Sequence, residues 1–191
     1  VRSSAASDVY KRQVAVIGCG GVGLSVIQGA RLQGAARIVA IDLFDEKLEL
    51  ATSMGATDAV NAGAADMVKQ VRQLTAGGVD YAFDAIGLPA TIRQSLDLLR
   101  AGGKAVVVGI ARFGEDVAID GFSLVMQEKS LLGSFYGSTR PRVDMPRILD
   151  LYRQGRLQLD QLVTRHYTLA QINEAYDDLQ GSRAGRGVIT F

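Results

Sequence analysis

Short apolar runs alternate along the chain with segments whose apolar residues recur at helical spacing. The apolar runs are three to six residues long and predict buried parallel strands. They cover residues 14–17, 37–41, 58–60, 79–83 and 104–109. The helically spaced segments cover residues 22–30, 48–54, 67–74 and 89–99, and the last is predicted to end at Gly102-Gly103. Strands that alternate with helices form βαβ units, so we predict an α/β fold with a doubly wound parallel sheet over residues 13–136.

The rhythm changes after Gly109. Strands are predicted at residues 116–120, 130–137 and 187–191, with a short apolar segment at 122–126. A helix around Ile148 and Tyr152 is predicted to stop at Gly155. Residues 168–171 have the form of a capping box. Apolar residues from 169 to 179 recur at helical spacing and form one face of the helix that this box opens. We therefore expect residues 137–191 to be a C-terminal helical segment that packs on something else and leaves that face exposed.

Composition narrows the classes of protein that fit. Residues 1–12 are rich in Ser and Ala, lack periodicity and are predicted to be a non-native scar. The net charge of +1 predicts no nucleic-acid partner and no anionic membrane surface. The single cysteine excludes an internal disulfide and any zinc site made of several cysteines of this chain. No apolar run approaches the ~20 residues that span a bilayer, so we expect a cytoplasmic protein.

The strongest chemical motif is a glycine-rich turn that follows the first predicted strand and opens the first predicted helix. Gly18, Gly20 and Gly23 form G-x-G-x-x-G, which suits a tight turn, close approach of a pyrophosphate, and close packing of helix on strand. Asp42 ends the second predicted strand, 19 residues after Gly23. A carboxylate there accepts hydrogen bonds from a ribose and repels a 2′-phosphate, so the pattern predicts a Rossmann fold that binds NAD rather than NADP.

Two other interpretations of this motif remain open from the residues alone. In one, the glycine turn has only a packing role and Asp42 caps the next helix. In the other, the chain is a methyltransferase that binds S-adenosylmethionine, a class that also has an acidic residue at the end of the second strand. That class does not need a full pyrophosphate loop, so the Gly21-Val22-Gly23 tail argues against it. The chain has no motif typical of a serine hydrolase elbow, a P-loop or a zinc protease.

Three single residues outside the glycine positions are candidates for a chemical role. Cys19 is interpreted as a small core residue rather than a redox thiol, because it has no partner cysteine. His166, the only histidine, is interpreted as a surface or packing residue rather than a catalytic base. Arg186 is flanked by Gly185 and Gly187, and the residues alone leave open whether it contacts phosphate. No catalytic residue and no metal ligand is predicted.

Several of these segments together resemble the zinc-dependent medium-chain alcohol dehydrogenases, above all the class that includes the glutathione-dependent formaldehyde dehydrogenases. The resemblance covers residues 13–191. The segments that carry it are VAVIGCGGVGLSVIQGARLQGAARIVAID, EKLELATSMGATDAVNA, GVDYAFDAIG, AGGKAVVVGI and LQGSRAGRGVITF.

The resemblance implies a role for thirteen residues in binding NAD. Those implied to contact the pyrophosphate are Gly18, Gly20, Gly21, Val22, Gly23 and Arg186. Those implied to contact the adenosine are Asp42 and Lys47 at the ribose and Ile86 at the adenine. Those implied to surround the nicotinamide are Val108 and Ile110 in its pocket, and Ser134 and Tyr136 through their backbone at its carboxamide.

The resemblance also implies what the chain does and what it lacks. The family oxidises alcohols or reduces aldehydes by hydride transfer to or from NAD, and it forms dimers through the strand edge that corresponds to residues 130–137. Its zinc ions and proton relay belong mainly to a domain that precedes the glycine loop. We therefore expect the coenzyme-binding half of such an enzyme, without zinc and inactive alone on a small-molecule alcohol or aldehyde. The alternative is a stand-alone regulatory module that senses NAD.

Overall fold

Six of the apolar runs form one parallel sheet in the computed structural model, which describes residues 12–64, 66–181 and 185–191. The strand order is β3-β2-β1-β4-β5-β6, and every neighbouring pair is parallel. The strands are β1 (Gln13–Ile17), β2 (Arg37–Asp42), β3 (Asp58–Asn61), β4 (Val79–Asp84), β5 (Leu99–Val107) and β6 (Ser130–Gly133). The predicted doubly wound α/β fold is confirmed.

Helices follow the strands, and all but the short fifth helix, where the sequence shows only an apolar segment, lie where the apolar spacing predicts them. They are α1 (Gly21–Leu32), α2 (Asp45–Ser53), α3 (Met67–Leu74), α4 (Pro89–Asp97), α5 (Gly121–Met126), α6 (Pro141–Arg153) and α7 (Ile172–Gln180). Nearby side chains mark or stabilise both ends of α4. Pro89 begins α4, and the Lys129 ammonium donates to the Leu96 carbonyl near the end of that helix at 2.9 Å.

The two faces of the sheet bury two separate apolar clusters, which explains why the central strands are mostly apolar. In β1, Val14 and Val16 pack with Leu24 and Ile27 of α1 on one face. The intervening residue Ala15 packs in the cluster on the other face. Successive side chains of a strand point to opposite faces, so a strand with helices on both sides is apolar at most positions instead of alternating.

A carboxylate is buried near the amino end of β4, away from the glycine turn. Asp80 is 9% exposed; it accepts the Gln13 amide at 2.8 Å and the Arg100 Nε at 2.7 Å. Burial raises the pKa of Asp80, but the Gln13 amide and the Arg100 guanidinium outweigh it and hold the pKa below its ordinary value. Arg12 Nη1 adds a contact of 3.1 Å. Residues 1–11, the rest of the predicted scar, lie outside the described residues.

The C-terminal segment carries a small sheet of its own. Strands β7 (Val163–Thr168) and β8 (Arg186–Thr190) pair in parallel. Part of the segment packs on the main domain. Gln28 of α1 is 3% exposed; its Oε1 accepts the Gln158 amide at 2.7 Å, and its Nε2 donates to the Gln158 carbonyl at 3.3 Å. Leu162 is buried in the same cluster as α1. The predicted exposure of the apolar 169–179 face is found at Leu169 and Leu179.

Four predicted elements after residue 89 were wrong or incomplete. Residues 116–120 form no strand, because they pair with no strand of the sheet; β6 takes the place beside β5. The helix from Pro89 ends at Asp97, and Gly102-Gly103 lie within β5, where the register to β4 shifts. The strand predicted over 130–137 ends at Gly133. The polar stretch around His166 is a strand, β7; its pairing is with a distant segment, so local polarity hid it.

Candidate functional site

The site lies where the parallel strands end. Crossovers from β1 and β4 leave the sheet in opposite directions, because β2 lies on one side of β1 and β5 on the far side of β4. The loops after these two strands therefore separate and leave a crevice at the carboxyl edge, where open α/β sheets bind ligands. Residue 18 follows β1 and residue 85 follows β4, so the glycine turn borders this crevice.

Each glycine of the G-x-G-x-x-G motif has a different environment. Gly18 has φ +91°, in the left-handed region that glycine tolerates, and its amide donates to the Ile41 carbonyl at 2.8 Å. A Cβ on Gly23 would overlap the Gly18 carbonyl oxygen and lie 2.9 Å from the Gly18 carbonyl carbon. A Cβ on Gly20 would meet nothing within 4 Å. Gly18 and Gly23 thus serve the turn and the packing, whereas Gly20 faces open space.

Asp42 holds the glycine turn against the end of β2. The side chain is 7% exposed; Oδ2 accepts the Cys19 amide at 2.8 Å and Oδ1 accepts the Phe44 amide at 3.1 Å. Phe44 is the N-cap residue of α2, so Asp42 contacts the glycine turn through one oxygen and the backbone at the start of α2 through the other. Nearby, Lys47 Nζ lies 4.9 Å from the centre of the Phe44 ring.

A cation covers the N-terminal turn of α1. A Cβ on Gly21 would overlap the Arg186 Nε and lie 2.7 Å from Nη2 and 2.8 Å from Cζ, so the guanidinium rests directly on Gly21. Within the described ranges, no carboxylate lies within ion-pair distance of Arg186. The amino end of a helix carries partial positive charge and free N–H groups, so this place combines two cationic features and favours an anion.

A cavity of about 530 Å³ opens in front of Arg186, a volume within the roughly 300–1,000 Å³ of small-molecule sites. The glycine turn, α7 and the β7–β8 sheet enclose it. Its lining includes five of the predicted site residues, Gly20, Gly21, Val22, Lys47 and Arg186. The cavity is therefore shared between the main domain and the C-terminal segment.

The wall opposite the glycine turn carries a polar cluster that the sequence did not suggest. Asp178 Oδ2 accepts the Arg165 Nη1 at 2.5 Å and the Tyr167 hydroxyl at 2.7 Å. The hydrogen bond to Asp178 raises the pKa of Tyr167 above its ordinary value. All three residues line the cavity. Their partners are distant in sequence and the spacing matches no motif, so only the tertiary structure reveals the cluster.

The turn after β4 is organised by a second carboxylate with no predicted role. Asp84 is fully buried, and its Oδ2 accepts the Gly87 amide at 2.9 Å. The Ile86 side chain rests on Gly18, since a Cβ there would lie 2.6 Å from Ile86 Cγ1. The backbone of Ile110 approaches Gly87, where a Cβ would lie 2.5 Å from the Ile110 nitrogen. The acidic residue of the DAIG segment was the available signal for this turn.

The remaining predicted residues follow β5 and β6 at the same edge of the sheet. The Val108 amide donates to the Asp84 carbonyl at 2.9 Å. The Ser134 amide donates to the Val107 carbonyl at 2.9 Å, and the Tyr136 carbonyl accepts the Thr139 amide at 3.3 Å. The Ser134 carbonyl and the Tyr136 amide have no such backbone partner in the described part of the chain. Val108, Ile110, Ser134 and Tyr136 all lie outside the lining of the cavity in front of Arg186.

Cys19 and His166 lie in contrasting environments. Cys19 is fully buried, and burial, with a smaller contribution from Asp42, raises the pKa of its thiol to about 12. His166 is exposed on β7. Residues 12–64, 66–181 and 185–191 contain no group of three or more His, Cys, Asp or Glu side chains that could hold a metal ion. In the same residues, no helix is long and apolar enough to cross a membrane.

Comparison with known proteins places the chain in a family. The family model described as zinc-binding dehydrogenase matches residues 21–154. The chain belongs to the zinc-binding dehydrogenase family. The resemblance to the glutathione-dependent class is also confirmed: the S-(hydroxymethyl)glutathione dehydrogenase of Synechocystis sp. is 37% identical over 181 residues, covering 93% of this chain and 49% of that protein.

Solved structures of this dehydrogenase family share the fold. The benzyl alcohol dehydrogenase of Acinetobacter calcoaceticus matches with a TM-score of 0.90 and 34% identity, over 96% of this chain and 51% of that one. A zinc-binding dehydrogenase of Sinorhizobium meliloti, solved with NADP bound, matches with a TM-score of 0.84 and 31% identity, over 97% and 54%. The chain spans about half the length of the curated relatives it matches. Those relatives are named as dehydrogenases, which gives no support to a regulatory NAD sensor or a methyltransferase.

Proposed function

We propose that this chain is the NAD-binding half of a zinc-type alcohol dehydrogenase. The observation that carries the proposal is the arrangement at the start of α1, where Gly20 faces open space and the Arg186 guanidinium covers Gly21. A pyrophosphate there would accept hydrogen bonds from the free N–H groups of the helix and from Arg186. Val22 and Lys47 line the same cavity.

Asp42 would select NAD over NADP. Both of its oxygens already accept a backbone amide, and each carboxylate oxygen has further lone pairs for a ribose hydroxyl. A 2′-phosphate beside this carboxylate would meet like-charge repulsion. Lys47 would reach the same ribose, and Ile86 would lie against the adenine. The Sinorhizobium relative was solved with NADP, so coenzyme preference varies and has to be measured for this chain.

The carboxyl ends of β5 and β6 would hold the nicotinamide. Val108 and Ile110 would line its pocket, and Ile110 is 81% exposed at this edge. The Ser134 carbonyl and the Tyr136 amide would bind the carboxamide, because these are the groups that the local backbone leaves without partners. When bound, NAD supplies the hydride acceptor; the described residues supply binding and orientation.

The substrate would be a small alcohol or aldehyde, as the names of the relatives suggest for those proteins. The family name implies zinc, but the described residues provide no group of three or more His, Cys, Asp or Glu side chains that could hold it. We propose that the 191-residue chain binds NAD and does not oxidise alcohols on its own. Zinc-stimulated alcohol oxidation by the purified chain would contradict this.

Organisation and assembly form a further part of the proposal. Residues 13–136 would form the coenzyme domain, and residues 137–191 would return to a catalytic domain. The exception is the stretch around Gln158 and Leu162, which packs on α1 through Gln28 and the apolar cluster. The chain would form a homodimer in the cytoplasm through the edge of β6, which pairs only with β5 and exposes Leu131 and Leu132. No nucleic-acid or membrane partner is proposed.

A titration of NADH and NADPH tests the coenzyme site. The chain contains no tryptophan, so the emission of the coenzyme itself is followed. We expect saturable binding of NADH and weaker binding of NADPH. In Asp42→Gly, the preference should fall about tenfold or more, because removal of one buried charged partner is worth on the order of 1.5–3 kcal/mol. Absence of NADH binding to the folded chain would refute the proposal.

Assembly is tested separately by the mass of the chain in solution. Leu132→Lys places a charge on the exposed edge of β6 and should convert a dimer into a monomer. Leu179→Lys, on the exposed face of α7, is the matched control and should leave the mass unchanged. A wild-type chain that is monomeric at high concentration would contradict the β6 dimer.

A further inference from the structure

Gly21 needs an explanation that the glycine motif does not give. It occupies one of the variable positions of G-x-G-x-x-G and is the first residue of α1. Its φ does not lie in the left-handed region, so the turn does not require glycine there for its backbone torsions. Outside the adjoining backbone of α1, the three atoms nearest to a Cβ on Gly21 would be Nε, Nη2 and Cζ of the Arg186 side chain.

We propose that Gly21 is a positioning residue, whose missing side chain lets the Arg186 guanidinium lie flat against the first turn of α1. The inference rests on the proposed coenzyme function, because the purpose of this arrangement is to place Arg186 beside the free N–H groups that take the pyrophosphate. Bringing a guanidinium to the positive end of a helix is electrostatically unfavourable in the absence of an anion. An anion bound between them removes the repulsion and gains bonds from both.

The backbone around Arg186 limits how it can respond to a side chain at residue 21. Arg186 begins β8 and is in register with Val163 of β7, and Gly185 before it would place a Cβ 2.5 Å from the Thr164 hydroxyl. The Arg186 Cα is therefore fixed, and a methyl group on residue 21 would displace only the flexible end of its side chain. The fold should tolerate that displacement, whereas the anion site should not.

Neighbouring glycines provide matched controls. A methyl group at Gly20 would meet no protein atom within 4 Å, so it would act directly against the bound pyrophosphate. A methyl group at Gly29, further along α1, also meets nothing within 4 Å and lies away from the cavity. Gly20→Ala should thus weaken binding whether or not Arg186 is present, and Gly29→Ala should not affect it. Only Gly21→Ala should act through Arg186.

The test is a double-mutant cycle on the 191-residue chain with NADH as the probe. Gly21→Ala should weaken NADH binding about tenfold, since a charge-assisted hydrogen bond to phosphate is lost. Arg186→Ala should weaken it at least as much, and the double variant no further than Arg186→Ala alone. Thermal unfolding should show Gly21→Ala to be as stable as the wild type. Unchanged NADH affinity in Gly21→Ala, or an equal loss in both backgrounds, would overturn the inference.

A measurement on the free protein separates this inference from the coenzyme function. A nuclear Overhauser effect between a Gly21 Hα and the Arg186 Hε is expected without any ligand, because the guanidinium rests on Gly21. Its absence would overturn the inference. If the effect is present but the folded wild-type chain binds no NADH, both the coenzyme proposal and the positioning role of Gly21 fail. If the effect is absent but the wild-type chain binds NADH, only the contact between Arg186 and Gly21 is wrong.

Discussion

Replacing Gly23 by alanine should destabilise the fold more than any other single methyl group in the glycine turn. The new Cβ would overlap the Gly18 carbonyl oxygen, lie 2.9 Å from the Gly18 carbonyl carbon and lie 3.4 Å from Val16 Cγ1. Two of these atoms belong to backbone, which cannot rotate away. Helix α1 would have to shift from β1, and Leu24 and Ile27 on its buried face would move with it.

Overpacking of a well-packed core costs typically 1–3 kcal/mol, and contact with backbone places Gly23→Ala near the upper value of about 3 kcal/mol. For a chain of this length, about 3 kcal/mol lowers the midpoint of thermal unfolding by roughly 6–12 °C. Far-ultraviolet circular dichroism during heating measures it. The control is Gly29→Ala in the same helix, where the methyl group has space and should leave the midpoint equal or slightly higher. A Gly23→Ala variant as stable as Gly29→Ala would refute the packing argument.

Three further predictions concern buried polar groups. Because the pKa of Asp80 is lowered, its stabilisation is present above the ordinary carboxyl pKa and lost as pH falls through the folded value; Asp80→Asn should cost about 2 kcal/mol at pH 7 in urea unfolding and progressively less as the pH is lowered below the ordinary carboxyl pKa, and a cost that does not depend on pH would contradict this. Cys19, with a pKa of about 12, should be about one part in 10,000 thiolate at pH 8, so a disulfide reagent should label it only after denaturation; rapid labelling of the folded chain would contradict this. Gln28→Ala removes both hydrogen bonds to Gln158 and should speed hydrogen exchange of the Gln158 amide relative to the wild type, whereas unchanged exchange would mean that the contact is not formed in solution.

The elements that the sequence predicted well are those whose environment is set by nearby residues. Strands β1, β2 and β4 lie between helices on both faces, so most of their positions are apolar and the runs stand out. The start of α4 is marked by Pro89, and the end of α2 is followed by Gly55 at φ +120°. Local chemistry of this kind is visible in any short window of sequence.

Elements whose partner is far along the chain were missed. Strand β7 contains Thr164, Arg165 and His166, and only Tyr167 is buried. Its partner β8 begins at Arg186, so no local pattern distinguishes it from a polar loop. Residues 116–120 show the opposite case: their alternation is strand-like, but they pair with no strand. Strand formation depends on a hydrogen-bonded partner as well as on periodicity.

The residues of the candidate site also differ in whether a local pattern or a distant contact determines their position. The glycine turn and Asp42 follow from a local motif and its spacing. Arg186 was left open by the residues and was assigned only through the family resemblance, since its place over Gly21 depends on the pairing of β7 with β8. The Asp178 cluster opposite was not anticipated at all. The binding roles of these residues remain predictions for the titrations above.

The contact between Gln28 and Gln158 has a consequence for the order in which the chain assembles. The two residues are 130 positions apart, and synthesis delivers β1 to β6 before Gln158 and Arg186. The glycine turn can therefore be formed while the arginine that covers it is still being made. Closing so long a loop is entropically slow compared with pairing adjacent βαβ units. Coenzyme affinity should then develop in a late kinetic phase, after most of the sheet has become protected from exchange.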